Sequence, residues 1–335
     1  HTRLLRVSWG SEMCIRDRSY IIYFKTVVKS KVIREGYLDR YGLEKTTHRF
    51  NTVSGKPLFM ADEIQKVILE GIQGKDPFFV GRFGSIELYM AAKTLLNINH
   101  KKQMSLNVLC NNAGFFPNSM DKAEEFGTLM QQAMNCVDVQ GTWYLPFEDY
   151  AIKHWLCKNA MLTEGRYLEP WFSSNPWTSA LAGKNILVIH PFVDSIRYQY
   201  EHHRRDIFSN EDYLPDFNLL TLKAVQTIAN TKDDRFDTWF DALDYMYNEA
   251  LKLDFDVALI GCGAYGYPLA AKLKMAGKKA IHMGGVLQAM FGIKGKRWET
   301  DKNPIVKNLY NDYWIRPSEN EVPQNNSKVE NGCYW

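Results

Sequence analysis

The sequence predicts an α/β protein built on one doubly wound, mostly parallel sheet with helices on both faces. Three observations carry that expectation. Short apolar runs of strand length alternate with longer segments whose apolar residues recur at helical spacing. Residues 254–285, DFDVALIGCGAYGYPLAAKLKMAGKKAIHMGG, read as a complete strand–turn–helix–strand unit. Two further strand–turn–helix elements, near residues 77–96 and 185–208, repeat the first half of that unit.

Composition narrows the function classes. The 335 residues suffice for one large domain, and 45% hydrophobic with 13% aromatic content is that of a packed chain. A net charge of +3, with basic and acidic residues interleaved, makes no case for a nucleic-acid partner. Six cysteines, none in a C-x-x-C pair or a zinc-spaced cluster, read as reduced thiols and imply a cytoplasmic location. No apolar run reaches about 18 residues, so no membrane span is expected. Residues 1–55 read as a lead-in and 56–335 as a single domain. Within the lead-in, 1–19 lack periodicity, an initiator methionine and the order of a signal peptide, and are expected to be a non-native or disordered remnant.

The first helix is expected over 61–72, where Ile64, Val67, Ile68 and Ile72 form one stripe. A buried strand follows at 77–80, then GRFGSIE (81–87) and a helix from Leu88 to Leu96. Ser85 suits an N-cap and Glu87 the first turn, which is the plain role of both. Arg82 and Glu87 also stand at a strand's C-terminal edge, where open α/β sheets hold ligands. The run 105–109 reads as a strand ending in Asn111-Asn112, 121–134 as a helix and 138–144 as a strand. The aromatic-rich stretch from Trp143 to Trp177 serves either core packing or ring stacking. Residues 185–189 read as a strand ending in His190-Pro191, with Asp194-Ser195 capping a helix over 196–208 that carries His202 and His203 on a solvated surface. A strand at 217–222 and an amphipathic helix at 236–253 lead into the 254–285 unit.

In that unit a buried strand ends at Ile260, GCGAYG (261–266) follows, and Pro268 suits the start of a helix that stops near Gly277. A glycine turn feeding a helix N-terminus presents backbone N–H groups and the positive end of a dipole to a phosphate or diphosphate. The spacing matches G-x-G-x-x-G, but a dinucleotide site expects an acid at the end of the second strand. Gly284-Gly285 stand there instead and the next acid is Glu299, so a phosphate turn that does not take NAD is expected. Lys294, Lys296 and Arg297, beside two glycines, are either a solvated turn or a diphosphate clamp. The tail from 303 to 335 reads as an ordered wrap.

In order, the pieces are GRFGSIE, His190-Pro191, IGCGAYGYPLA, AIHMGG, FGIKGKRW and VENGCYW. Together, over residues 77–335, they resemble the bacterial GT-D-type glycosyltransferases, Rossmann-like sugar transferases of glycoprotein and surface-polysaccharide assembly. The resemblance implies a nucleotide-diphosphate sugar as donor, often UDP-linked, and a glycan or glycoprotein acceptor. It also implies an Asp-x-Glu pair holding Mn2+ or Mg2+ against the diphosphate. Ser85 and Glu87 occupy those positions, so the glutamate is kept and the aspartate is not. A hydroxyl beside one carboxylate is a poor ligand set for a hard cation, which weakens the expected metal site at Glu87. Donor contacts are then expected from Arg82, Gly84, Ser85, Gly261, Gly263, Tyr265, Gly266, His282, Gly284, Gly285, Gln288 and Lys296. Glu87, His190 and Arg297 are the catalytic candidates, with Glu87 or His190 as the base. The alternatives are a non-catalytic nucleotide- or phosphosugar-binding relic and, from another class, an NAD-dependent oxidoreductase.

Overall fold

The computed structural model describes residues 52–300, 304–323 and 332–335; the expectation for 1–19 lies outside them. The polypeptide begins with a hairpin, β1 (Thr52–Val53) and β2 (Lys56–Phe59), whose turn residues Ser54 and Gly55 both have positive φ. Val53 faces Lys56 across it, so the pair runs over the expected boundary between 55 and 56. The other strands are β3 (Phe78–Arg82), β4 (Val139–Thr142), β5 (Met161–Glu164), β6 (Asn185–His190), β7 (Asn218–Lys223), β8 (Val257–Ile260) and β9 (Lys279–His282). They form one sheet in the order β1-β2-β5-β4-β3-β9-β8-β6-β7, parallel everywhere except in the hairpin.

Both faces of the sheet are buried, and the period of two along each strand divides its side chains between two cores. Phe79, Leu187, Ile189, Ala258 and Ile260 point to one side. There they meet α2 (Ser85–Leu95), α3 (Lys102–Ala113), α4 (Met120–Met134), α5 (Glu148–His154), α7 (Trp239–Leu251) and α8 (Gly266–Met275). Val80, Ile186, Val188, Val257 and Leu259 point to the other, against α1 (Ala61–Gln73) and α6 (Val193–His203). Each fully buried Leu, Ile or Val stabilises the fold by about 1.5–3 kcal/mol before entropy is counted. The expected doubly wound α/β sheet is therefore the observed one. No helix among the described residues is long and apolar enough to cross a membrane.

Several local expectations change. The run 105–109 is helical, within α3, because Leu106, Leu109, Cys110 and Ala113 are the residues that face inward, a 3.6-residue period. Val108, which alternation paired with Leu106, is exposed. Strand β5 was masked by its polar residues: Thr163 and Glu164 are buried beside Leu162. Asp194 and Ser195 lie inside α6 and do not cap it. Glu321, arriving from the tail and buried, does so: its carboxylate accepts from Asp194 N at 2.8 Å and Ser195 N at 3.2 Å. Gly84, not Ser85, is the N-cap of α2, and Pro268 is the third residue of α8.

Candidate functional site

Strand β6 leads outward to β7, whereas its neighbour β8 leads back through β9 toward β3. Where adjacent strands diverge in this way a doubly wound sheet opens a crevice at its carboxyl edge. A cavity of about 540 Å³ lies there, reaching from the ends of β6 and β8 to those of β9 and β3. Thirteen of the fifteen residues singled out from the sequence line it, Lys296 and Gly266 being the exceptions.

Arg82, the last residue of β3, is the centre of the floor. Its guanidinium donates to Gly165 O at 3.2 Å, Glu169 Oε1 at 3.3 Å and Met283 O, and lies 5.1 Å from the Trp143 ring centroid. One side chain thus ties the segment after β5 to the end of β9. Burial lowers Arg82 from its ordinary value, and Glu169 opposes that. Burial likewise raises Glu169, against the pull of Arg82. Glu169 also accepts from Trp171 Nε1 at 3.0 Å.

Gly84 and Glu87 are coupled. A Cβ at Gly84 would collide with the Glu87 carboxylate, which folds back over the N-terminus of α2 from its third position. That is the geometry of a cap, and it explains the glycine. Among the described residues no group of three or more His, Cys, Asp or Glu is placed to hold a metal ion. Ser85, Glu87 and their surroundings therefore do not fit a divalent cation on their own.

His190 ends β6 and is buried. Phe192 N donates to its Nδ1 at 3.0 Å, and burial lowers its pKa to about 3. With the acceptor nitrogen occupied by the chain's own backbone, the general-base role expected of His190 does not fit. His282, at the end of β9, is also neutral: burial and then Arg82 lower it to about 3. Its buried Nδ1 has no hydrogen-bond partner and faces Gly266, where a Cβ would collide with it. Gly266 therefore makes room for the His282 ring and does not itself line the cavity.

In the glycine turn, Gly261 N donates to Ile189 O at 2.9 Å and so belongs to the sheet. Gly263 has φ +59°, and nothing lies within 4 Å of where its Cβ would stand. The residues from Gly263 to Tyr265 form a short 3-10 turn that runs into α8, whose first N–H, that of Gly266, is taken by Gly263 O, so the N–H groups that a helix start leaves without intrahelical partners are those of the turn itself. Tyr265 is held in the core instead, stacked on Trp239 at 4.7 Å, with its hydroxyl 3.0 Å from Thr227 Oγ1.

The opposite wall comes from the tail. Arg297, in α9 (Lys296–Glu299), donates its backbone N–H to Cys333 O at 2.8 Å, and its guanidinium lies 4.7 Å from the Tyr334 centroid. Gln288 is spent on the same segment, donating to Tyr334 O at 3.0 Å and Lys294 O at 3.1 Å. Gly285 leaves the space that the Tyr334 ring fills. Lys296 is exposed and lies off the cavity, so of the basic run only Arg297 reaches it.

Sequence reasoning missed Arg166, Glu169, Trp143, Tyr334 and Trp335 as lining residues. The first two follow the unrecognised β5, and an RxxE pair after a strand was the available signal. Three arginines, Arg82, Arg166 and Arg297, and two glutamates, Glu87 and Glu169, line the cavity, with Arg82 paired to Glu169. With the turn and neutral histidines, the site suits an anion with an attached polar group.

No family model matches this sequence, and no curated protein matches it. Among solved structures it is similar to one described as the selenomethionine-substituted structure of domain of unknown function 1792 (DUF1792). The two are 13% identical over 70% of this chain and 80% of that one, with a TM-score of 0.40.

Proposed function

We propose that this protein transfers a sugar from a nucleoside-diphosphate sugar to an acceptor hydroxyl. The observation that carries the reading is the Gly261–Gly263 turn opening α8 at the divergence of β6 and β8, inside a cavity that also holds Arg82 and Arg297. Backbone N–H groups at a helix start, with guanidinium groups opposite, match a diphosphate. The motif order GRFGSIE to VENGCYW, with its resemblance to GT-D-type sugar transferases, supports the sugar-nucleotide part.

In this reading the acceptor oxygen bonds to the anomeric carbon as the bond to the diphosphate breaks, and the electron pair leaves with the diphosphate. The turn and Arg297 meet the charge that develops there, which lowers the barrier more than it tightens ground-state binding. The acceptor proton goes to Glu87 or Glu169, the two carboxylates lining the cavity.

A second reading, a non-catalytic nucleotide or phosphosugar binder, is favoured by Ser85 and by the folding of Glu87 onto the start of α2. A thermal-shift panel with UDP, UDP-sugars and NAD, followed by a donor-hydrolysis and transfer assay, separates the readings. A ligand at about 100 times its Kd stabilises by about 2.7 kcal/mol. Stabilisation by UDP with turnover supports transfer, and stabilisation without turnover supports the binder. Stabilisation by NAD alone removes both.

A further inference from the structure

We propose that His190 is a catalytic hydrogen-bond donor, its Nε2–H directed to the departing diphosphate beside the glycine turn. The inference rests on the nucleoside-diphosphate reading above and assigns a residue to its leaving-group step.

The argument begins with the ring's other nitrogen. Phe192 N–H points at His190 Nδ1 over 3.0 Å in a buried setting. A nitrogen that accepts a backbone N–H carries no hydrogen of its own, so the neutral ring holds its hydrogen on Nε2. A proton added to Nδ1 would displace the Phe192 N–H and leave a buried donor unpaired, which is unfavourable. The fixed tautomer agrees with the strong lowering of the ring's pKa by burial. Phe192 also holds the ring by an edge contact, centroids 4.9 Å apart.

Position follows from Gly261. A Cβ there would stand 2.7 Å from His190 Cδ2, the carbon bonded to Nε2. The Cδ2 carbon, next to Nε2 in the ring, therefore packs beside the first glycine of the turn, where Gly284 O and Leu287 Cβ also close the space, and His190 lines the same cavity as that turn. The turn needs such a donor. Gly261 N–H is taken by Ile189 O in the sheet, so the start of the turn offers no backbone hydrogen there. A neutral imidazole donor at the end of the adjacent strand fills that place without adding a titrating charge. As the bond between anomeric carbon and diphosphate oxygen breaks, the oxygen gains charge and its hydrogen bond from Nε2 strengthens; the proton stays on His190.

The test uses the full chain labelled with 15N-histidine. Long-range 1H–15N spectra are expected to show His190 as the Nε2–H tautomer, unchanged from pH 8 to pH 5, with its Nε2–H resonance shifted by UDP and by inorganic pyrophosphate. In turnover assays His190→Ala should lose about 10²–10³ in kcat with a smaller change in KM. His190→Gln, which retains a donor near Nε2, should recover at least tenfold of that loss with an unchanged pH profile. An Nδ1–H tautomer, titration near pH 6–7, or an acidic limb of the pH profile that vanishes in His190→Gln overturns the proposal. If calorimetry shows UDP and pyrophosphate binding while the Nε2–H resonance stays still, this assignment fails and the nucleotide reading stands. If neither ligand binds, both fail.

Discussion

Arg82 and Glu169, 87 residues apart in the chain, form an ion pair of 3.3 Å that is buried on both sides. It joins β3 to the segment after β5, and through Met283 O it joins both to the end of β9. Removing one member of such a pair leaves the other charge buried and uncompensated, at a cost of about 3–5 kcal/mol. Arg82→Ala is therefore expected to lower unfolding free energy by that amount in urea titrations, far beyond a surface change. Glu169→Gln keeps the shape but leaves the Arg82 guanidinium buried without its counter-charge, so it too should cost stability, and it should remove the acidic limb of turnover if Glu169 takes the acceptor proton. A Glu169→Gln variant with an unaltered pH profile leaves Glu87 as the base.

Glu148 governs pH behaviour in a part of the site the sequence did not flag. Its buried carboxylate accepts from Trp143 N at 3.0 Å and Leu145 N at 2.9 Å, and so sets the loop that puts Trp143 beside Arg82. Burial, opposed by bonds from Thr142 and the backbone, pushes it up to about 7 from 4.5. The folded state thus holds this proton more tightly than the unfolded chain. Its contribution to stability is complete below about pH 4.5 and is lost as pH rises through 7. Between pH 5 and pH 8 the unaltered protein should lose roughly 2–3 kcal/mol relative to Glu148→Gln, measured by denaturant unfolding at each pH. Parallel curves for the two proteins would contradict this.

The basic run divides by geometry. Lys296 and Arg297 are both exposed, but only Arg297 lies at the cavity, against Tyr334. Arg297→Ala should reduce kcat by about 10²–10³, with a smaller effect on KM, and Arg297→Lys should recover only part of that. Lys296→Ala should stay within about twofold. Equal losses at both positions would mean a diffuse field and not a specific contact.

Metal dependence is expected to be weak. Ser85 cannot replace a carboxylate as a hard-cation ligand, and Glu87 is folded onto the α2 N-terminus. Chelation by EDTA should leave turnover within about twofold, and Ser85→Asp should create Mn2+ affinity measurable by calorimetry. Tight Mn2+ binding in the unaltered protein that survives Glu87→Gln would locate an ion elsewhere.

Fold class and the two-sided burial of the strands were determined by the sequence alone, which also set its candidate residues at the carboxyl edge where the cavity lies. Patterns such as NILVI and DVALI carry their own period, and glycine at 263 follows from a local backbone need, its positive φ. What failed locally was decided by neighbours. SLNVL alternates like a strand, yet the core received Leu106 and Leu109 on one helical face. Other features rest on how the backbone turns back on itself. The Phe192 N–H, two residues on, returns to His190 Nδ1 and takes its acceptor nitrogen. Whether Gln288 touches ligand or tail depends on Tyr334 returning from 46 residues away. Arg166 and Glu169 enter the site only because β5 lies two strands from β3 in the sheet, with β4 between them. Strand order and long-range hydrogen bonds are properties of packing, and a linear pattern of hydrophobicity and spacing does not contain them.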